Sequence, residues 1–217
     1  EKLGTQVPLD AELVDQDGKA VTLGSYFTSG RPVILALNYY GCPTLCSLVL
    51  NGLGDGMRGL EFAPGKQYQV VALSINPNEK PDLASKKREA YLASLGRATE
   101  PGAWPFLTGK QDQIDKVAKA VGFNYRWVPE TQQYAHAAGI FILTPTGRLS
   151  RTLYGITFVP RDLRIGLVEA SQGGISSPVD RLLLFCYHYD PDKKRYGINP
   201  LFIMRVAPGR TDRTFGG

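Results

Sequence analysis

Two cysteines at a predicted strand-to-helix turn carry the most reactive chemistry of this sequence. Cys42 and Cys46 stand four residues apart and follow the apolar run Val33–Leu37, which predicts a buried strand. Pro43 favours the first turn of a helix, where side chains four apart share a face. A helix N-terminus also favours thiolate over thiol. The spacing therefore predicts two converging sulfurs that form a disulfide or hold a soft metal ion.

A third ligand has to come from elsewhere in the chain, which has only two histidines, His136 and His188. His136 lies in a predicted loop just before the apolar run Ile140–Leu143. Loops at one strand end of an α/β sheet gather together, so this loop is a candidate to lie over the thiols. The pattern alone equally allows a surface histidine.

Strand and helix patterns alternate along the chain and predict the elements that position these residues. An Asp17-Gly18 turn between short apolar stretches predicts an N-terminal hairpin over Val14–Leu23. Alternating strands and helices then indicate an α/β fold, a mixed sheet with helices on both faces. The remaining predicted strands are Tyr68–Ile75, Trp104–Leu107, Ile140–Leu143 and Leu149–Tyr154, and the predicted helices are 81–95, Gln111–Val121 and Arg161–Ala170.

The amino-acid composition excludes several classes of protein. The 217 residues are 43% hydrophobic with a net charge of +5, and no run of eighteen apolar residues predicts a membrane span. The run of three basic residues at 86–88 falls in a predicted helix and indicates a solvated face. No nucleic-acid motif is present, so we expect no nucleic-acid partner. Three cysteines are too few for a disulfide scaffold.

The composition changes after Gly173, which predicts a domain over 1–175 and a C-terminal extension over 176–217. The extension carries Cys186 and His188, which share a face only if they lie on a strand. A packed cysteine and a second metal site both remain open for this pair.

Three motifs in order resemble the SCO/SenC family of copper proteins. They are Tyr39-Tyr-Gly-Cys-Pro-Thr-Leu-Cys46, Ser74-Ile-Asn-Pro77 and Tyr134-Ala-His136, and the resemblance spans about residues 5–170. It implies a thioredoxin-like fold and one copper ion, Cu⁺ or Cu²⁺, bound per chain by Cys42, Cys46 and His136. Two thiolates and one imidazole suit copper, whereas structural zinc would need a fourth protein ligand.

The same resemblance implies a metallochaperone that helps to assemble the dinuclear copper site of cytochrome c oxidase, with a redox-active cysteine pair. The implied partners are oxidase subunit II, a copper donor chaperone and a thiol reductant. The implied location is periplasmic or otherwise extracytoplasmic, with a membrane anchor outside this sequence.

Two positions depart from the family pattern. Asn76 stands where the family usually has Asp, which keeps the turn and its hydrogen bonding but loses the charge. Ser47 stands where the family often has Pro.

An alternative function is a thiol–disulfide oxidoreductase, with Cys42 as the more exposed nucleophile acting on the oxidase cysteines or other periplasmic proteins. A peroxidase of this fold usually places Thr three residues before its reactive cysteine. Those positions here hold Tyr39 and Pro43, which argues against a peroxidase.

Overall fold

The computed structural model describes residues 2–41, 45–96, 99–175, 187–190 and 195–198, with the backbone alone for 45–47 and the last two ranges. The chain divides into two compact units, Glu1–Ile175 and Ser176–Gly217.

The elements of the first unit alternate along the chain as the sequence predicts. Its helices are α1 (Leu45–Arg58), α2 (Pro81–Ser94), α3 (Gln111–Val121) and α4 (Pro160–Ser171), with a short 3₁₀ helix at Leu23–Tyr26. Its strands are β1 (Glu12–Val14), β2 (Ala20–Thr22), β3 (Val33–Asn38), β4 (Gln69–Ser74), β5 (Phe106–Gly109), β6 (Tyr125–Val128), β7 (Gln133–His136), β8 (Gly139–Leu143) and β9 (Leu149–Tyr154). In the second unit, β10 (Tyr187–Asp190) pairs antiparallel with β11 (Arg195–Ile198).

One sheet of seven strands forms the centre of the first unit, in the order β2-β1-β5-β4-β3-β8-β9. Strands β3, β4 and β5 are parallel, and β8 runs antiparallel to β3. Strands β6 and β7 form a separate antiparallel hairpin. The mixed sheet confirms the predicted fold class, and the β1–β2 pair confirms the predicted N-terminal hairpin.

Alternation along β3 divides the core between the two faces of the sheet. Val33, Leu35 and Leu37 join a buried cluster with the apolar side of α3. Ile34 and Ala36 join a second cluster with residues of α1, α2 and α4. Because both faces of β3 are covered, the whole strand is apolar up to its last residue, as expected for a central strand of an α/β sheet.

Helix α1 contains three glycines, Gly52, Gly54 and Gly56, and continues past them. Two of them touch the segment that leads into α4. A Cβ on Gly52 would overlap the carbonyl oxygen of Ile156, and a Cβ on Gly56 would overlap that of Phe158. The glycines therefore let the segment pack directly on the helix, and this packing outweighs their low helix propensity.

None of the described helices combines the length and apolar character needed to cross a bilayer.

Candidate metal centre

Three parts of the chain meet at one end of the central sheet. Strands β3 and β4 are parallel, and the register pairs Asn38 with Ser74 at their carboxyl ends. Strand β8 is antiparallel to β3, so the residues that precede β8 lie at this same end. We call it the cysteine end: the residues after β3, the residues after β4 and the residues before β8. The topology brings His136 and the segment before Cys42 to the same end.

The two predicted thiol ligands are described only in part. Cys42 follows Gly41 and lies outside the described residues, while Cys46 is the second residue of α1 and is described by its backbone. The predicted convergence of their sulfurs therefore stays a prediction. Cys186 also lies outside the described residues, and His188 lies on β10, so the second-site hypothesis stays open as well.

His136 ends strand β7 instead of lying in a loop, so the loop predicted for it is wrong. Its ring lies 5.4 Å from the ring of Phe123, and its Nδ1 is 2.9 Å from the carbonyl oxygen of Ala137. Because a carbonyl oxygen only accepts, Nδ1 is the donor, and the lone pair of the neutral ring is on Nε2. Histidines that bind metals are commonly held in one tautomer by such a bond.

Strand alternation puts Tyr134 and His136 on one face of β7. The Tyr134 ring packs edge-on against Tyr39, with 5.4 Å between the ring centroids. Tyr39 is buried and precedes Cys42 by three residues, a span of about 10 Å at most. The hairpin that carries His136 is therefore held against the segment that leads to the first cysteine.

Glu79, which no sequence motif indicated, lies one residue before the N-cap of α2 and is only 8% exposed. Its Oε2 accepts hydrogen bonds from the Tyr40 backbone N–H at 2.8 Å and the Ser74 hydroxyl at 2.6 Å. Its Oε1 accepts from the Gly41 N–H at 2.6 Å. The only sequence signal was an acidic residue shortly after the Asn76-Pro77 turn, and nothing local tied it to the cysteines.

Tyr40 is fixed at both its backbone and its side chain. Its phenol is buried and donates to the Leu107 carbonyl oxygen at 2.8 Å, across the neighbouring parallel strands. Burial, and after it the charge of Glu79, raise the pKa of Tyr40 well above the ordinary value. Tyr40 therefore stays neutral at physiological pH and anchors the chain two residues before Cys42.

Asn76 keeps the turn and its hydrogen bonding, as the sequence predicts for an amide at this position. Its Oδ1 accepts from the Asn78 N–H at 3.0 Å and closes the turn after β4. The family carboxylate is absent at this position, yet a carboxylate is present at the cysteine end through Glu79.

Asn38, the last residue of β3, is 1% exposed, and neither polar atom of its amide has a hydrogen-bond partner among the described residues. Among the residues whose side chains are described, no three His, Cys, Asp or Glu groups are close enough to hold a metal ion. Both thiols of the predicted site fall outside that set.

Comparison with known proteins agrees with this architecture. The family model described as SCO1/SenC matches residues 4–163. Copper-bound ScoI from Arabidopsis thaliana is 20% identical, with a TM-score of 0.60 over 79% of this chain and 99% of that one. A SCO1/SenC family lipoprotein from Bacillus anthracis is 18% identical, with a TM-score of 0.62 over 78% and 96%. BsSco, a member of the Sco family of cytochrome c oxidase assembly proteins, is 23% identical, with a TM-score of 0.60 over 79% and 96%.

No curated protein sequence matches the chain. The sheet, its flanking helices and these structural neighbours define a thioredoxin-like fold. Because the family model covers most of its length, the chain belongs to the SCO1/SenC family.

Proposed function

We propose that this chain binds one copper ion, Cu⁺ or Cu²⁺, through Cys42, Cys46 and His136, and that it takes part in assembling the dinuclear copper site of cytochrome c oxidase. The observation that carries the proposal is the contact between Tyr134 and Tyr39. It holds the face of β7 that bears His136 against the segment leading to Cys42. Copper is bound in the related ScoI structure, and BsSco is an oxidase assembly protein.

The donor set fits copper as cargo. Thiolates are soft ligands that suit Cu⁺, and an imidazole nitrogen suits both Cu⁺ and Cu²⁺. The bond from Nδ1 of His136 to Ala137 leaves Nε2 as the coordinating nitrogen. Three ligands without a fourth also leave the ion open to transfer.

Copper capture is coupled to the redox state of the cysteine pair. The dithiol binds the metal as thiolates, whereas the disulfide offers no thiolate. Binding of the ion displaces the two thiol protons. Oxidation of the bound thiolates by a partner disulfide would transfer two electrons to the partner, which takes up two protons as its thiols form, and would close the Cys42–Cys46 disulfide and release the ion. A thiol reductant is therefore needed to return the pair to its binding form.

The remaining partners follow from this cycle. A copper donor chaperone loads the dithiol, and oxidase subunit II receives the ion. We propose an extracytoplasmic location with a membrane anchor outside this sequence, since a bacterial relative is a lipoprotein.

A second candidate is a thiol–disulfide oxidoreductase, favoured by the disulfide switch identified in BsSco. In that reaction the Cys42–Cys46 dithiol reduces a partner disulfide by exchange, becomes a disulfide itself and leaves the partner with two thiols.

The test is an anaerobic titration of the reduced chain with Cu²⁺, followed by the thiolate-to-copper absorption band. We expect one ion per chain, no band in Cys42→Ser or Cys46→Ser, and at least tenfold weaker Cu²⁺ binding in His136→Ala. The chain supplies its own matched controls in Cys186→Ser and His188→Ala, which should bind as the wild type does. Unchanged Cu²⁺ binding by His136→Ala would refute the ligand set.

An insulin-reduction assay on the same preparations separates the two candidates. Stoichiometric copper binding without catalytic turnover supports the metallochaperone. Turnover that requires both Cys42 and Cys46 in a chain that binds no copper supports the oxidoreductase instead.

A further inference from the structure

We propose that Glu79 is a positioning residue for the metal centre, because its carboxylate fixes the backbone of Tyr40 and Gly41 directly before Cys42. Of the three measurements that test this inference, only the copper titration rests on the proposed function. The two other measurements need no metal.

The contacts are specific to this carboxylate. Tyr40 N–H and Gly41 N–H donate to different oxygens of Glu79, so the carboxylate clamps two successive peptide units. The clamp crosses 38 and 39 residues of sequence, which makes it a tertiary contact between the end of β3 and the segment after β4. A buried carboxylate that accepts several N–H and O–H bonds makes strong, charge-assisted hydrogen bonds.

The carboxylate is itself held in place. The Ser74 hydroxyl donates to Oε2, and the same hydroxyl oxygen accepts from the Asn76 N–H at 3.1 Å. The chain from Asn76 through Ser74 and Glu79 to Gly41 therefore links the turn after β4 to the residue before Cys42. Two segments of the cysteine end are joined by hydrogen bonds, and the Tyr39–Tyr134 contact joins the third.

Glu79→Gln tests the clamp with little change in volume. The three described groups that bond to the carboxylate oxygens, Tyr40 N–H, Gly41 N–H and the Ser74 hydroxyl, are all donors, whereas the amide has only one acceptor oxygen. In either orientation of the amide, its NH₂ group meets a backbone N–H, either that of Tyr40 or that of Gly41. The variant therefore breaks at least one half of the clamp.

The first measurement is amide hydrogen exchange of Tyr40 and Gly41 in the metal-free protein. A hydrogen bond to a charged group is worth about a tenfold factor or more in an opening equilibrium. We expect at least one of these two amides to exchange about tenfold faster in Glu79→Gln. Exchange of β5 amides should be unchanged.

The second measurement is the equilibrium between the Cys42–Cys46 disulfide and dithiothreitol. A looser segment before Cys42 lowers the effective concentration of one thiol at the other. The disulfide therefore becomes easier to reduce, by about threefold to tenfold. The third measurement is the Cu²⁺ titration, in which we expect about tenfold weaker binding and a shifted thiolate-to-copper band.

Glu89→Gln is the matched control, since Glu89 is an exposed carboxylate on α2. It removes the same charge without touching the clamp and should match the wild type in all three measurements. Glu79→Asp keeps the charge on a side chain shorter by one methylene, so we expect partial rescue of the disulfide equilibrium and of the copper band. Equal effects of Glu79→Gln and Glu89→Gln would show that long-range charge acts and would overturn the proposal.

Ser74→Ala keeps the proposal testable if Glu79→Gln does not fold. Loss of the hydroxyl loosens the carboxylate, and we expect the same directions of change at about threefold. Wild-type exchange at Tyr40 and Gly41 in every folded variant refutes the clamp. A wild-type chain that binds no copper, while the exchange and disulfide results hold, refutes the proposed function and supports the clamp.

Discussion

Substituting alanine for two glycines of α1 should change stability in opposite directions. Gly52 and Gly54 lie in the same helix, two residues apart, and both are buried. A Cβ on Gly52 would overlap the carbonyl oxygen of Ile156 and lie 2.8 Å from its carbonyl carbon, whereas a Cβ on Gly54 meets no atom of the described residues within 4 Å. The difference in stability between Gly52→Ala and Gly54→Ala therefore measures the effect of the close contact between the helix and the segment before α4.

The magnitude follows from two opposing terms. Alanine is favoured over glycine inside a helix by about 1 kcal/mol, which both variants gain. Overpacking costs about 1–3 kcal/mol, and we take the upper end at Gly52 because the overlapping atoms belong to the backbone and cannot rotate away. Gly52→Ala should therefore lower the free energy of unfolding by about 2 kcal/mol, and Gly54→Ala should raise it by about 1 kcal/mol.

Urea unfolding of the metal-free, reduced protein measures both changes, followed by circular dichroism with a thermal melt as the second readout. At about 2–4 °C per kcal/mol for a chain of this size, Gly52→Ala should melt about 4–8 °C lower and Gly54→Ala about 2–4 °C higher. Both variants should retain the wild-type m-value, since neither changes the surface exposed on unfolding.

Two results would refute the reasoning. If Gly52→Ala stabilises the chain as Gly54→Ala does, the helix does not approach Ile156 closely. If both variants destabilise the chain equally, the higher helix propensity of alanine does not determine the effect of Gly54→Ala.

Three further perturbations test separate parts of the molecule. Burial, and then the charges of Asp15 and Asp17, raise the pKa of Tyr26 to about 12. The folded state therefore keeps this proton where the unfolded chain, with a pKa of about 10, has lost it, and stability falls as pH rises through that window. Tyr26→Phe should make the decline of the urea midpoint between about pH 10 and 12 shallower, and an unchanged slope contradicts this. Asn38→Leu removes a buried amide that lacks hydrogen-bond partners among the described residues, and it should raise the free energy of unfolding by about 1–3 kcal/mol in urea. A lower free energy of unfolding would show that the amide is hydrogen-bonded in solution. Tyr134→Leu removes the ring contact with Tyr39 and should weaken Cu²⁺ binding about twofold to tenfold, whereas Tyr134→Phe keeps the ring and should bind as the wild type does. Equal Cu²⁺ binding by the wild type and both variants would show that the ring contact does not position His136.

Local patterns in the sequence were enough to predict most elements of the first unit. Helix α3 and strand β9 have the predicted bounds, and β3, β4 and α2 differ from prediction by one or two residues. These elements carry strong periodicity or uninterrupted apolar runs, and such signals depend on neighbours in the sequence. The cysteine pair was found in the same way, from residue type and spacing.

The β6–β7 hairpin was harder to predict because its strands are short and amphipathic. The sequence indicated a loop or one short strand over 123–133, with an exposed turn near Pro129. The structure pairs Tyr125 with His136 and so turns a predicted loop histidine into a strand residue. Its aromatic side chains pack on one another and on Phe123, and these contacts lie outside any local pattern.

The sequence by itself determined which residues offer chemistry: two thiols at a strand-to-helix turn, a distant histidine, and an amide where the family has a carboxylate. Only the tertiary structure decided what surrounds them. Parallel pairing brings the end of β4 beside the end of β3, and antiparallel pairing brings the start of β8 to the same place. Glu79 therefore reaches Tyr40 and Gly41 across almost forty residues, a contact that strand pairing creates and residue spacing does not reveal.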